Sequence, residues 1–536
     1  MKKLKLVCVA IAMAGAAPTF AGGLLTNTNQ HVAFNRMMSR EASIGIDGVY
    51  YNPAGVVFMG EGHHLAINWQ LAYQTRTINN DYKLFTNNVN NPITPRDFKG
   101  KAFAPVIPSF QYAYNKGKWS FQANFSLTGG GGKCTFDDGL GSFEKIVSET
   151  AIAACGLAGV VDQTLGNTLG QQGMEMFTSD QAFGKTGKYS FNSYMHGRQY
   201  YYGLSAGAAY KFCDNFSAFL GVRGVYALTN YYGYVENINV GNMPLYKVLD
   251  PTKENAANIE LSCDQTGVGF TPIIGVDYKT GRWNFSAKYE FKTRIRLKNK
   301  SVNQTPSIGN LPANLANQMT GILTARYQQA GLPLEQAKQQ AENTTNAVLN
   351  DPTVGATMMG LKTQFDQKLN KAIGEYEDGK KIAGDIPGYL ALGIGYSPVD
   401  AVRVNVGFHW FDDKNATSYN NRNKELKRGT LEYNAGVEVD VNKKITLSTG
   451  WQNTNYGLSD EYMDDKSFVV GSNSAAIGGV YHINKKMDLN VAYFHTFYQH
   501  KKTSETVQLA ADKSIVYNSD YTRNNNVFAV GLDINF

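Results

Sequence analysis

The run Leu65-Ala66-Ile67-Asn68-Trp69-Gln70-Leu71-Ala72-Tyr73-Gln74 decides the fold. Leu65, Ile67, Trp69, Leu71 and Tyr73 share one face at period two, and Ala66, Asn68, Gln70, Ala72 and Gln74 share the other. Strand side chains alternate between faces, whereas an amphipathic helix would repeat its apolar residues at i, i+3 and i+4. An apolar face carrying Trp and Tyr, backed by a polar face, is what a lipid-facing barrel strand requires.

The same pattern continues to the last residue as a series of hairpins. Phe110, Tyr112 and Tyr114 turn at Asn115–Lys118 into Trp119, Phe121, Ala123, Phe125 and Leu127. Tyr202, Leu204, Ala206, Ala208, Tyr210 and Phe212 turn near Asp214-Asn215 into Phe216, Ala218, Leu220 and Val222. Further tight turns fall at Thr280-Gly281, Pro398-Val399-Asp400, Asn442-Lys443 and Asn484-Lys485, each between alternating runs. Phe528, Val530, Leu532, Ile534 and Phe536 form the last strand. The prediction is an all-β fold: a transmembrane antiparallel barrel of about fourteen strands, with tight turns on the periplasmic side and long loops outside. Closure would leave no free edge. A soluble sandwich or propeller would have to hide an aromatic face on every strand.

The N-terminus adds two segments. Lys2, Lys3 and Lys5, then the apolar run Leu6 to Ala17, then Pro18-Thr19-Phe20-Ala21 read as a cleaved secretory signal over residues 1–21. Its apolar run is too short to cross a membrane as a helix. Residues 22–62 are rich in Gly, Asn and small side chains, have little periodicity, and are read as a hatch inside the barrel of residues 63–536. Composition agrees: 12% of residues are aromatic, with 32 Tyr, 28 Phe and 54 Gly, which suits membrane strands with aromatic girdles. A mean hydropathy of −0.32 argues against a bundle of membrane helices. The net charge of +7 drops to +4 without the three signal lysines, too mild to argue for a nucleic-acid partner. Cys134 and Cys155 share one long loop and could pair in an oxidising compartment; Cys213 sits at a turn on the opposite side, which makes a bond to Cys263 geometrically unfavourable.

The long loops carry helical signals. Leu315, Met319, Ile322, Leu323 and Tyr327 fall at helical spacing, as do Leu361, Phe365, Leu369 and Ile373, and a shorter set lies at Phe143, Ile146 and Val147. Such faces either pack on one another as a cap or form a landing groove for an apolar ligand. On the strand from Trp283 the polar face reads Asn284, Ser286, Lys288, Glu290, Lys292, Arg294 and Arg296; Arg223, Arg403, His409, Glu432 and Glu438 join it from other strands. Mixed charge in a lumen solvates it and holds a plug. A sharper role is an arginine that pairs a ligand carboxylate, with Arg223, Arg294, Arg403 and Lys292 as candidates.

Other motifs carry little. Gly129–Gly132 before Lys133 fails the phosphate-loop spacing, and Cys134 stands where Ser or Thr is needed. His63-His64 lacks a partner at ligand spacing and reads as an interface anchor. Asp137-Asp138 and Asp464-Asp465 read as solvated loop charges rather than a cation site. No metal, cofactor or catalytic constellation is expected.

Tyr51-Asn52-Pro53-Ala54-Gly55, following Gly45–Gly48 and preceding the strand at Leu65, resembles the N-terminal signature of the FadL/TodX outer-membrane transport family. Ile107–Tyr114 and Asp385–Gly393 resemble strands of the same family. The resemblance implies a monomeric, plugged fourteen-stranded barrel in the bacterial outer membrane, with outer-membrane lipids around it. Through it hydrophobic ligands, long-chain fatty acids or aromatic hydrocarbons, diffuse passively, are captured in an outer groove, and leave through a lateral gap. It places Asn52, Pro53 and Ala54 in the hatch; on physical grounds Leu315, Met319, Leu323, Leu361, Phe365 and Leu369 of the loop helices are read as capturing an apolar tail. The competing readings are a gated porin for polar solutes, a barrel-anchored adhesin, and an outer-membrane enzyme.

Overall fold

The computed structural model describes residues 24–510 and 513–536. The signal segment 1–21 and hatch residues 22–23 lie outside the described residues, as does the side chain of Leu369.

Eighteen hydrogen-bonded segments make fourteen wall strands, because three strands are interrupted and Met243–Pro244 is a rim piece. The first half comprises β1 (Gly62–Tyr82), β2 (Arg96–Lys116), β3 (Trp119–Phe136), β4 (Tyr189–Cys213), β5 (Phe216–Val240) and β6 (Ile259–Thr280). Next come β7 (Trp283–Glu290, then Arg296–Gln304) and β8 (Lys381–Ala383, then Tyr389–Val399). The series continues through β9 (Val402–Phe411), β10 (Thr430–Asn442), β11 (Ile445–Asn455) and β12 (Ser472–Asn484). It ends with β13 (Met487–Tyr498, then Lys501–Ala510) and β14 (Lys513–Asn535). Every neighbour is antiparallel. β1 pairs β2 on one side and β14 on the other, from Leu65↔Ile534 to Tyr82↔Tyr517, so the sheet closes. The tight turns fall where the sequence places them, at residues 117–118, 214–215, 281–282, 400–401, 443–444 and 485–486.

The alternation that predicted the strands is visible in their burial. Ile67, Trp69 and Tyr73 are exposed on the outer face of β1, while Asn68, Gln70 and Gln74 are buried in the lumen. Only lipid makes an outer face of Trp, Phe, Leu and Val favourable on so many strands. His63 sits at the inner rim, stacked on Tyr114 at 4.6 Å and on Phe536 at 5.3 Å, with Nδ1 2.7 Å from the Tyr112 hydroxyl.

The expected loop helices form, and longer than expected. α3 (Gly141–Leu169) packs against α6 (Leu334–Leu349) and α7 (Pro352–Ile373) over the outer end of the barrel; α5 (Leu311–Gln329) packs on α6 and on the one-turn α4 (Tyr246–Leu249). α6 gave no sequence signal because its buried face is small and partly polar: Ala337, Ala341, Thr344, Thr345 and Val348. Residues 24–59 lie inside the barrel and include α1 (Val32–Met37) and α2 (Gly48–Tyr51). α1 starts at His31, whose Nδ1 accepts from Ala33 N–H at 2.9 Å, and stops at Met38, which takes the left-handed conformation.

Candidate functional site

The hatch is tied to the wall by buried charge. Arg40 pairs with Asp47 inside the hatch at 2.7 Å, and both Arg36 and Arg40 reach Glu438 of β10. Glu41 meets His409 of β9 at 2.7 Å, and the other ring nitrogen of His409 lies 2.8 Å from Glu432. Asn52 does two things. Its Oδ1 accepts from Gly55 N–H at 3.1 Å, which fixes the turn through Pro53 and Ala54. Its Nδ2 donates to Asp277 of β6 at 2.6 Å. Lys288 donates to the Tyr50 carbonyl at 2.6 Å and pairs with Glu290 at 2.9 Å.

This network takes up two of the proposed ligand anchors. Arg223 makes a two-pronged pair with Glu290 at 2.6 and 3.0 Å, over the Tyr50 ring. Arg403 forks onto Asp440 at 2.6 and 2.8 Å, and its Nε reaches Glu438 at 3.2 Å. It lines a polar cavity with Arg40, Arg282 and Asp400, next to the tight turns at one end of the barrel. Both arginines therefore hold structure and carry no free charge for a carboxylate. The structure changes the reading of the other two as well. After Glu290 the strand slips by one residue: Glu290 and Thr293 are both buried, and Arg294 and Arg296 turn outward. A one-residue bulge exchanges the faces of everything beyond it. Here Pro272 on β6 has no N–H to give, and pairing with β7 stops at Ile273↔Glu290, resuming at Thr266↔Lys298. Lys292 lies in the slip and donates to the Asn415 carbonyl at 3.0 Å.

Two cavities lie beyond the hatch. The first is apolar and sits among the loop helices. Ala154, Leu157 and Val161 of α3, Leu249 of α4, Leu315 of α5, and Leu361 and Phe365 of α7 line it, with Phe177 and Phe183 from the connecting loop. It holds about 910 Å³ of unfilled space, part of it open to solvent. The proposed capture residues Leu315, Leu361 and Phe365 thus meet in one place. Met319 and Leu323, fully buried, belong to the core of the cap. Both readings of the loop helices have a physical counterpart: some side chains pack, and others leave a cleft.

The second cavity is mixed in character and begins at Leu24 and Leu25 of the hatch. Tyr201, Tyr231, Tyr376 and Tyr419 line it together with Glu375, Asp385, Asp413, Arg422 and Arg523. Burial raises the Glu375 carboxyl to about 7 and that of Asp413 to about 6, so both shed charge readily. Arg422 donates to the carbonyls of Tyr462 and Ser467 and lies over the Tyr462 ring. Arg523 faces Arg76 directly across the β1–β14 ladder. Arg76 is fully buried, its Nε donates to Gln74 at 3.1 Å, and neither Nη has a hydrogen-bond partner among the described residues. Sequence reasoning missed both. Extending the inward parity of the first and last strands beyond the membrane band would have found them.

Beside the hatch the wall is broken. β2 and β3 pair at Phe110↔Phe125 and again at Phe103↔Lys133, and the stretches between them are unpaired. There β3 turns inward: residues 126–132 are all buried. The hatch takes their hydrogen bonds. Asn27 N–H donates to the Thr128 carbonyl at 2.9 Å, its side chain donates to that of Gly130 at 2.6 Å, and Gln30 Nε2 donates to that of Leu127 at 2.8 Å. The glycine run makes this approach possible, since a Cβ on Gly129 would lie 2.8 Å from the Leu25 carbonyl oxygen.

The four cysteines of the described chain are free thiols, with Cys134 and Cys263 buried. Asp465 accepts from Ser142 N–H at the start of α3, at 2.8 Å, and from the Tyr521 hydroxyl. Among the described residues no group of three metal-ligating side chains occurs.

The fold and these features define a plugged, membrane-spanning β-barrel. The architecture is similar to that of a FadL homologue from Pseudomonas aeruginosa, at 14% identity over 98% of this chain and 100% of that one, with a TM-score of 0.56. It is similar also to a TodX mutant described as a monoaromatic hydrocarbon channel, at 12% identity over 94% and 99% of the two chains, with a TM-score of 0.50. No family model matches the sequence, and no curated protein matches it. At these identities the likeness shows the fold: the chain has the plugged-barrel architecture of FadL- and TodX-type proteins.

Proposed function

We propose that this protein admits hydrophobic molecules through the outer membrane by passive, ligand-gated diffusion, and that its ligands are long-chain monocarboxylates. The apolar cleft between α3, α5 and α7 carries the reading, because a solvent-open space lined by Leu, Val and Phe on a membrane barrel has a use only for an apolar ligand. Each methylene buried there contributes about 0.8 kcal/mol, so chain length sets affinity. The acid head is argued from Arg422 and Arg523 in the lumen cavity, with Arg76 behind them. The lumen below is filled by the charge-anchored hatch, which disfavours the porin reading and directs the ligand to the unpaired stretch between β2 and β3. The wall there is closed from inside by hydrogen bonds from Asn27 and Gln30, which a ligand can exchange by favouring a second hatch arrangement.

Native mass spectrometry of the refolded mature protein, titrated with palmitate, toluene and a disaccharide, tests this. The expected result is saturable one-to-one palmitate binding, weakened about tenfold by Arg422→Ala or Arg523→Gln. Toluene binding without palmitate binding would leave the uptake reading and remove the acid head. Saturable sugar binding alone would favour the porin.

A further inference from the structure

Strand β7 has two different outer faces. Below the slip it presents Trp283, Phe285 and Phe291 to lipid. Above it Arg294, Arg296, Lys298 and Lys300 point outward, separated by buried Ile295, Leu297 and Asn299. β8 adds exposed Lys381, whose register partner is Lys298. Like charges directly opposite each other on one face of a ladder destabilise it. Two carboxylates offset part of this charge: Asp385 takes Arg296 at 2.8 Å, and Asp264 faces Lys300 in register while accepting from Asn230. Asp378, nearby, is engaged by Ser301 N–H at 2.8 Å. Arg294, Lys298, Lys300 and Lys381 make no ion pair among the described residues.

The row has a definite height. A tilted barrel strand climbs about 2.5 Å along the membrane normal per residue, and the apolar band is about 25 Å tall. With Trp283 at the inner interface, Arg294 sits at the outer edge of the hydrocarbon, and Lys300 stands about 15 Å farther out. The neighbouring strand agrees: exposed Phe270 and Val268 give way to Thr266 and Asp264. The cations therefore begin where acyl chains end and headgroups start.

We propose that this row is a docking site for a phosphorylated glycolipid of the outer leaflet. Arg294, which has no ion pair among the described residues, meets a phosphate at the acyl boundary, where the guanidinium fork matches phosphate oxygens, while Arg296 stays with Asp385. Lys298, Lys300 and Lys381 meet anionic groups on the sugars above. The bound lipid places negative charge between Lys298 and Lys381, and so braces the seam where β7 slips. This site lies on the outer wall and does not depend on which molecule the lumen admits.

The test is native mass spectrometry of the full mature barrel with bisphosphorylated lipid A, with the dephosphorylated lipid, and with inorganic phosphate as competitor. One bisphosphorylated lipid is expected to bind, with the dephosphorylated form weaker by about tenfold or more. The triple variant Arg294→Gln/Lys298→Gln/Lys381→Gln is expected to lose binding to a similar degree, and the Lys298→Arg/Lys381→Arg variant to keep it. Heat-modifiable gel mobility establishes that each variant is folded. Equal binding by the dephosphorylated lipid, or by the triple Gln variant, would overturn the proposal. Complete displacement by millimolar phosphate would also overturn it, in favour of a site for a free anion.

Discussion

At the scale of single residues, the lumen of this barrel is an accounting of charge. Arg223, Lys288 and Glu290 share one buried knot beneath Tyr50. Glu290 is the one anion that both cations share, so removing it leaves two buried charges without their carboxylate in a place water does not reach. Glu290→Gln is expected to destabilise the barrel by about 3 kcal/mol, read as a lower denaturant midpoint, and Glu290→Gln with Arg223→Met to recover part of the loss. The lumen cavity that begins at Leu24 and Leu25 behaves differently. Glu375, with a carboxyl near 7 in the fold and an ordinary value when unfolded, holds a proton that the unfolded chain has released. Stability from this group is present below the unfolded value and is lost as pH rises toward and through 7. Lys466, Arg422 and Lys380 face it and favour its ionised form, while Asp464 opposes them; burial outweighs the cations. Protection of residues 374–378 from hydrogen exchange, corrected for the intrinsic rate, is expected to fall between pH 5 and pH 8. In Glu375→Gln it should stay level.

At the scale of elements, β3 and β7 are the strands that do not behave as plain wall. β3 gives up its neighbour so that the hatch can pair with it, and glycine at 129 and 130 is the condition for that. A Cβ on Gly130 would lie 2.3 Å from the Gln199 carbonyl oxygen, and its φ of +68° suits glycine. Gly129→Val, whose Cβ meets the Leu25 carbonyl oxygen at 2.8 Å, is expected to displace the hatch segment, seen as faster protease cleavage within residues 24–31 and a leakier pore in planar bilayers. An unchanged cleavage rate would mean that the hatch does not depend on this contact. The loop helices are the other functional elements. Ala154→Trp, which fills the apolar cleft from α3, is expected to weaken palmitate binding about tenfold with little change in stability. Phe365→Asp should do the same by charging the opposite wall.

At the scale of the whole molecule, the barrel is a rigid ring around a hatch with its own fold. The buried pairs from Arg36, Arg40, Glu41 and Asn52 spread over β6, β9 and β10, so the hatch moves only if several bonds exchange together. A cross-link between Asn52→Cys and Asp277→Cys, whose native side chains touch, separates two mechanisms. If transport needs the whole hatch to shift, uptake of labelled palmitate by cells stops in the oxidised form and returns on reduction. If only residues 24–31 move, uptake continues at the unlinked rate.

What the sequence by itself determined is whatever repeats locally. The period-two faces gave strand after strand, the turn residues gave the hairpins, and closure followed from the outer aromatic face and the need to satisfy every edge. Helical spacing found α3, α5 and α7, because their apolar residues are large, and missed α6, whose buried face is Ala and Thr. What only the tertiary structure decided is where parity breaks and which charges find partners. A one-residue slip after Glu290 carried Arg294 from the lumen to the outer wall, and no local pattern announces such a slip. Arg223 and Arg403 look like free lumen cations in sequence, and their carboxylates, Glu290, Asp440 and Glu438, come from other strands. Pairing of charge is a property of distance in space. The sequence lists the charges; the closed barrel sets the distances.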